Sequence, residues 1–135
     1  MVYITRKEYF CASHRLYNES FTDEENYETF GKCSNPAGHG HNYELSVTVA
    51  GEPDPKTGMI IDLKKLSDLI KEEIIDKVDH KNLNVDVDFL QGVIPTTENL
   101  ARIFWKILNP KIKLGKLYSI QISETTKNFT EYRGE

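Results

Sequence analysis

Hydrophobic and polar positions alternate along several stretches of the chain, and the period sorts them into elements. "VYITRKEYF" sets Val2, Ile4 and Phe10 among polar residues with β-branched and aromatic content, which predicts a strand continuing to Ser13 or His14. Period two then places Ala12 and His14 on one face and Cys11 and Ser13 on the other. "NYELSVTVAG" alternates Tyr43, Leu45, Val47 and Val49 against polar or small residues, a half-buried strand. "GEPDPKTG" is turn chemistry, and "MIIDL" after it predicts a returning strand, so a β-hairpin is expected there. In "LYSIQISETT" Leu117, Ser119, Gln121 and Ser123 oppose Tyr118, Ile120, Ile122 and Glu124; with "NFTEYRG" it supplies two closing strands.

Two stretches carry the helical period. Leu63, Leu66, Leu69, Ile70, Ile74 and Val78 recur at three- and four-residue spacing behind Asp62, a suitable N-cap. Pro95 and two threonines open a second helix that buries Leu100, Ile103, Phe104, Ile107 and Leu108. The acidic "SFTDEENYETFGK" and the aperiodic "DHKNLNVDVDFLQGVI" read as loops, the first with at most one helical turn. The order β, β, β, α, α, β, β implies an α+β domain, an antiparallel sheet with helices on one face.

A chain of 135 residues fits one domain over 1–135. Its N-terminus lacks the unbroken apolar core of a signal peptide and no apolar run reaches membrane-spanning length, so a cytoplasmic protein with reduced Cys11 and Cys33 is expected. A net charge of −4 without a basic block argues against nucleic acid. An anionic substrate would need a metal or a few placed cations to offset that field.

The candidate chemistry begins with "FGKCSNPAGHGHNYEL". His39 and His41, two apart in an extended segment, leave the same face, with Gly40 between them admitting close approach. A metal site needs a third ligand, and His14 is the histidine that also sits in a predicted strand. Three imidazoles without a fourth protein ligand would mark a catalytic rather than a structural zinc; the competing reading is a histidine-rich turn. Cys33 has three open readings: a fourth ligand closing the site, a thiol activated by a nearby cation, or a small buried hydrophobe. Asp79 beside His80 suits either an acid–base pair or a solvated turn. Glu124 shares its predicted face with Ile120 and Ile122, so it is either exposed at the strand end or a buried carboxylate waiting for paired donors such as the N–H and amino group of a planar heterocycle.

The segments "CASHRL", "DEEN", "FGKCSNPAGHGHNY", "DHKNLN", "TTEN" and "SETTKNFTEYRGE", in this order, resemble the 6-pyruvoyltetrahydropterin synthase family across nearly the whole chain. The resemblance implies a T-fold: a four-stranded antiparallel sheet with two helices on one side, three subunits closing a barrel and two trimers forming a homohexamer with active sites at subunit interfaces. It further implies His14, His39 and His41 as zinc ligands, Cys33 as general base, and Asp79 with His80 as the second acid–base element. Glu124 would anchor the pterin, with Thr96, Thr97 and Glu98 helping to line its pocket; Arg15, Lys32 and Lys81 are candidates to assist a triphosphate only because they flank these motifs in the sequence. The implied activity is a zinc-dependent lyase acting on 7,8-dihydroneopterin triphosphate in tetrahydropterin biosynthesis. The alternative is the related 6-carboxytetrahydropterin synthase of queuosine and deazapurine biosynthesis, which takes the same substrate, and a non-catalytic zinc- or pterin-binding module is a third reading. Strand alternation turns Cys11 away from His14, so Cys11 is expected to pack rather than react.

Overall fold

Two long strands set the frame. In the computed structural model, which describes residues 1–135, β1 (Val2–His14) and β2 (His39–Gly51) pair antiparallel along their whole length, Val2 opposite Gly51 and His14 opposite His39. β4 (Lys116–Thr125) pairs with the other side of β2, and β5 (Asn128–Tyr132) closes that edge. A two-residue strand, β3 (Lys81–Asn82), runs parallel to the outer edge of β1, so the sheet order is β3-β1-β2-β4-β5.

The helices bury one face of this sheet. Asp62 accepts from the Lys64 N–H and starts α2 (Leu63–Ile70), which passes through a wide π turn at Lys71–Ile75 into the last turn, α3 (Asp76–Val78). Thr96 caps α4 (Thr97–Leu108) by accepting from the Asn99 N–H. Leu66, Ile70, Ile74 and Val78 from the first helix and Leu100, Phe104 and Leu108 from the second join Tyr43, Leu45, Val47, Val49, Ile120 and Ile122 in one core cluster. Fully burying each such side chain contributes about 1.5–3 kcal/mol, so this layer fixes the helices to the sheet.

Four local expectations change. "DHKNLNVDVDFLQGVI" is not loop throughout, because its Lys81–Asn82 pairs with Ala12 and Ser13 as the parallel strand β3, so the sheet has five strands and is not purely antiparallel. "SFTDEENYETFGK" holds a two-turn helix, α1 (Asp23–Phe30), rather than a loop with a single turn. Its only buried residue is Asn26, so no apolar stripe announces it; instead Thr22 and Glu25 form a reciprocal capping box. "MIIDL" is not a strand. The Asp54 N–H donates to the Met59 carbonyl and the Gly58 N–H donates back to Asp54, closing a local loop that lays Ile60 against Gly51 and Gly115. Finally, strict alternation fails in β4. The register steps from Thr48↔Ser119 to Val49↔Leu117, so Tyr118 is an extra residue, and this bulge returns Leu117 to the core face it shares with Ile120 and Ile122.

Candidate active site

The β1–β2 register gathers the histidines. His39 lies opposite His14 and His41 opposite Ala12, so all three imidazoles project from the helix-covered face at the same end of the sheet. Their ligand atoms all lie within 4.8 Å of one another. The backbone permits this because Gly38, with φ of +74°, turns the chain into β2 directly against the His14 carbonyl, where a Cβ would stand 2.9 Å from that oxygen.

His14 is the most constrained of the three, at 1% exposure. Its Nδ1 lies 2.9 Å from the Pro95 carbonyl, which only accepts, so Nδ1 carries the proton and Nε2 keeps its lone pair for a ligand. The Tyr43 hydroxyl stands 3.2 Å from the same nitrogen. Burial pushes the His14 imidazole below its ordinary value, outweighing the Pro95 bond and the Glu124 charge, and this favours the neutral, metal-binding form. Burial likewise raises the Tyr43 phenol, keeping it a neutral hydroxyl.

The donor set fits a divalent ion. Two nitrogens bound about 2.05 Å from a tetrahedral zinc stand roughly 3.3 Å apart, and His14 Nε2 and His39 Nε2 are 3.2 Å apart. Glu124 adds a second sign. Its Oε2 is buried with no hydrogen-bond partner, 3.8 Å from His14 Nε2 and 3.7 Å from His41 Nε2. A buried carboxylate oxygen without a donor is costly, so this geometry calls for a cation or for N–H donors brought by a ligand. The expectation of an exposed strand-end Glu124 does not hold for that oxygen.

The remaining candidates lie around this centre in two groups. Cys33 sits in a short 3-10 turn, Gly31–Ser34, outside the trio that could hold a metal. That turn is tied to the end of β1: Leu16 N–H donates to the Cys33 carbonyl at 2.9 Å and Arg15 Nε to the Ser34 carbonyl at 2.8 Å. Asp79 and His80 lie on the β3 side of β1. Asp79 Oδ1 accepts from the Cys11 N–H at 2.9 Å, its Oδ2 lies 3.0 Å from His80 Nδ1, and the His80 N–H donates to the Cys11 carbonyl. His80 is the only non-glycine residue with positive φ, at 61°, and its side chain is 81% exposed. A strained backbone holding an exposed imidazole against a carboxylate is the kind of local cost that clusters at functional sites. The Cys11 N–H bond lowers Asp79 below its ordinary carboxylate value despite partial burial, and His80 adds to the effect.

Thr96 and Thr97 have structural roles here: Thr96 caps α4, and the Thr97 hydroxyl lies 2.7 Å from that of Thr130 on β5, while Glu98 is exposed. Lys81 borders a separate cavity with Lys77 and Asp86. Both cysteines are free, and Cys11 is exposed. Alternation does turn it from His14, but the face it points to is the open one, so it does not pack within the chain. Sequence reasoning missed Pro95 and Tyr43 as supports of His14. It also missed Asn84, which clamps the residue after His14 by accepting from Arg15 N–H at 2.7 Å and donating to its carbonyl at 2.9 Å. Tyr43 carried a signal, two residues beyond His41 on the same strand face, and Asn84 closes the quoted "DHKNLN"; the contacts that Pro95 and Asn84 make were not legible, because they span 81 and 69 residues.

Comparison with known proteins gives this arrangement its context. A human 6-pyruvoyl tetrahydrobiopterin synthase is 47% identical over 132 residues, covering 98% of this chain and 91% of its own. That of Dictyostelium discoideum is 46% identical over 134 residues, covering 99% and 97%. The solved structure of Caenorhabditis elegans 6-pyruvoyl tetrahydropterin synthase superimposes with a TM-score of 0.93 at 43% identity, covering 99% of this chain and 96% of that one. The Plasmodium falciparum structure, at 16% identity and a TM-score of 0.71, shares the fold alone. The α+β sheet described above is therefore the T-fold of these proteins, and with the 6-pyruvoyl tetrahydropterin synthase model matching residues 3–135, the chain belongs to that family.

Proposed function

We propose that this protein is a zinc-dependent 6-pyruvoyltetrahydropterin synthase, a lyase that converts 7,8-dihydroneopterin triphosphate with loss of inorganic triphosphate. The observation that carries the reading is the convergence of three imidazole nitrogens and the partnerless Glu124 oxygen at one end of the sheet, in a protein whose named full-length relatives are pyruvoyl-forming synthases.

His14, His39 and His41 would hold the zinc, which supplies Lewis-acid polarisation of the substrate's hydroxyl oxygens and acidifies the adjoining C–H bonds. Glu124 accepts the paired N–H donors of the pterin ring, which supply the partner that its buried oxygen lacks. Thr96, Thr97 and Glu98, at the start of α4, would help to line that pocket. Cys33, as thiolate, removes a proton from one of the substrate's hydroxylated carbons. Asp79 orients His80 through Nδ1, leaving Nε2 free to accept and return a proton during the internal redox tautomerisation and the elimination. The assembly we infer with this activity is a homohexamer in which a neighbouring subunit completes each site; the two open sheet edges, β3 and β5, leave backbone free for such association. No helix is long and apolar enough to cross a membrane, in keeping with a cytoplasmic enzyme.

The test is incubation of zinc-loaded wild-type protein and Cys33→Ala with 7,8-dihydroneopterin triphosphate, reading triphosphate release, acetaldehyde and the mass of the pterin. The expected result is a pterin that keeps its three-carbon substituent, with turnover lost in Cys33→Ala while zinc content and pterin affinity persist. Acetaldehyde with a carboxylated pterin would overturn the pyruvoyl reading, and a wild type that releases no triphosphate would overturn the enzyme reading.

A further inference from the structure

The segment "DEEN" is among those that carry the family resemblance, yet none of its residues enters the proposed reaction. Its last residue, Asn26, is also the one buried residue of α1, at 4% exposure. An amide buried on a helix that otherwise lies at the surface needs a physical reason.

The hydrogen bonds supply it. The Asn18 N–H donates to Asn26 Oδ1 at 2.8 Å, and Asn26 Nδ2 donates to the Asn18 carbonyl at 3.2 Å. One partner can only donate and the other only accept, so the amide has a single orientation with both of its ends engaged. Asn18 is itself fixed in a turn: its carbonyl also accepts from the Phe21 N–H at 3.0 Å, and its side chain accepts from the Ser20 N–H at 2.9 Å. The chain from Leu16 to Cys33 is therefore a closed loop. Its neck is the bond from the Leu16 N–H to the Cys33 carbonyl at 2.9 Å, doubled by Arg15 Nε on the Ser34 carbonyl, and the Asn26 amide is the brace inside it.

Nothing else in α1 holds it comparably. The helix buries no apolar stripe, and the one element it packs against closely is the turn Gly31–Ser34 that carries Cys33. Gly31 joins the two. With φ of +61° it ends α1, its N–H donating to the Tyr27 carbonyl, and leads straight into the Cys33 turn. A displacement of α1 thus passes directly to the thiol-bearing residue.

We infer that Asn26 is a positioning residue of the active site, whose brace to Asn18 fixes where Cys33 stands without itself touching substrate. The inference rests on the proposed role of Cys33 as the base. A base must lie within hydrogen-bond reach of the proton it takes, and a misplacement of about 1 Å can lower the rate about a hundredfold. Holding of the pterin by Glu124 and the metal does not pass through this loop, so the effect falls on kcat rather than KM.

The experiment compares Asn26→Ala, Asn26→Asp and Thr22→Ala with wild type at matched zinc content. Thr22→Ala removes the hydroxyl that caps the far end of α1 but leaves the brace, so it weakens the helix without releasing it from Asn18. Two quantities are read: steady-state triphosphate release, and the rate at which iodoacetamide alkylates Cys33, located by peptide mass with the exposed Cys11 as internal reference. Asn26→Ala is expected to lower kcat about tenfold to a hundredfold, with KM within about twofold of wild type. It should also speed alkylation of Cys33 relative to Cys11 by about tenfold, because local opening of the loop no longer breaks the two buried bonds. Asn26→Asp keeps the acceptor for the Asn18 N–H and should fall between, while Thr22→Ala should stay near wild type in both readouts. Equal losses in Thr22→Ala and Asn26→Ala would make Asn26 a helix-stabilising residue only and overturn the inference, as would wild-type kcat in Asn26→Ala. Faster Cys33 alkylation in Asn26→Ala, in a protein whose wild type releases no triphosphate, would sustain the brace and refute the reaction instead.

Discussion

Gly38→Ala tests how the three-histidine cluster depends on backbone geometry. Gly38 has φ of +74°, and a Cβ there would stand 2.9 Å from the His14 carbonyl oxygen. An alanine in left-handed backbone costs roughly 1–2 kcal/mol. The contact adds a second cost, since ordinary C···O approaches are about 3.3 Å or longer and the obstacle is backbone that cannot rotate aside. Overpacking of this kind costs about 1–3 kcal/mol, so the sum is about 2–5 kcal/mol. Gly58→Ala separates the two costs, because Gly58 has a similar φ of +73° with nothing within 4 Å. Urea unfolding of the zinc-free proteins should place Gly38→Ala below Gly58→Ala by about 1–3 kcal/mol. Competition with a chelator should show weakened zinc binding in Gly38→Ala alone, because relief of the clash moves His14 relative to His39. Equal stabilities for the two variants, or unchanged zinc affinity in Gly38→Ala, would refute the claim that this contact sets the spacing of the histidines.

Three further outcomes are expected. Zinc at a free concentration about one hundred times its Kd should stabilise the protein by about 2.7 kcal/mol, read as a shift in thermal unfolding that His39→Ala abolishes. Tyr43→Phe removes the hydroxyl 3.2 Å from His14 Nδ1 but leaves Pro95 in place, so it should cost about 1 kcal/mol in urea unfolding and lower zinc affinity by no more than about tenfold. Asp79 is held below its ordinary value of 3.8, first by the Cys11 N–H and then by His80. Its contribution is therefore present above the unfolded-state value and is lost as pH falls through the lower folded-state value. Unfolding of Asp79→Asn should differ from wild type at neutral pH, and the difference should shrink as pH falls below the ordinary carboxylate range; a difference that grows on acidification would contradict the assignment.

What the sequence determined alone is what local patterns control. Alternation is enough to place His39 and His41 on one face of β2 and His14 with Ala12 on one face of β1, because side-chain direction within a strand depends only on residue parity. The apolar spacing of α2 and α4 and their caps at Asp62 and Thr96 are likewise local. Even α1, which the apolar pattern missed, was legible through the Thr22–Glu25 capping box. Tertiary structure decided the rest. Parity alone does not align His14 with His39; the register of two thirteen-residue strands does. The failure of "MIIDL" to form a strand depends on the loop closed at Asp54, and the return of Leu117 to the core depends on the bulge opposite Thr48. The Pro95 carbonyl on His14, the buried Glu124 oxygen, and the joining of Arg15 to the Cys33 turn are contacts between distant segments. Such contacts are chosen by how helices and sheet share one core, a condition that no short stretch of sequence carries.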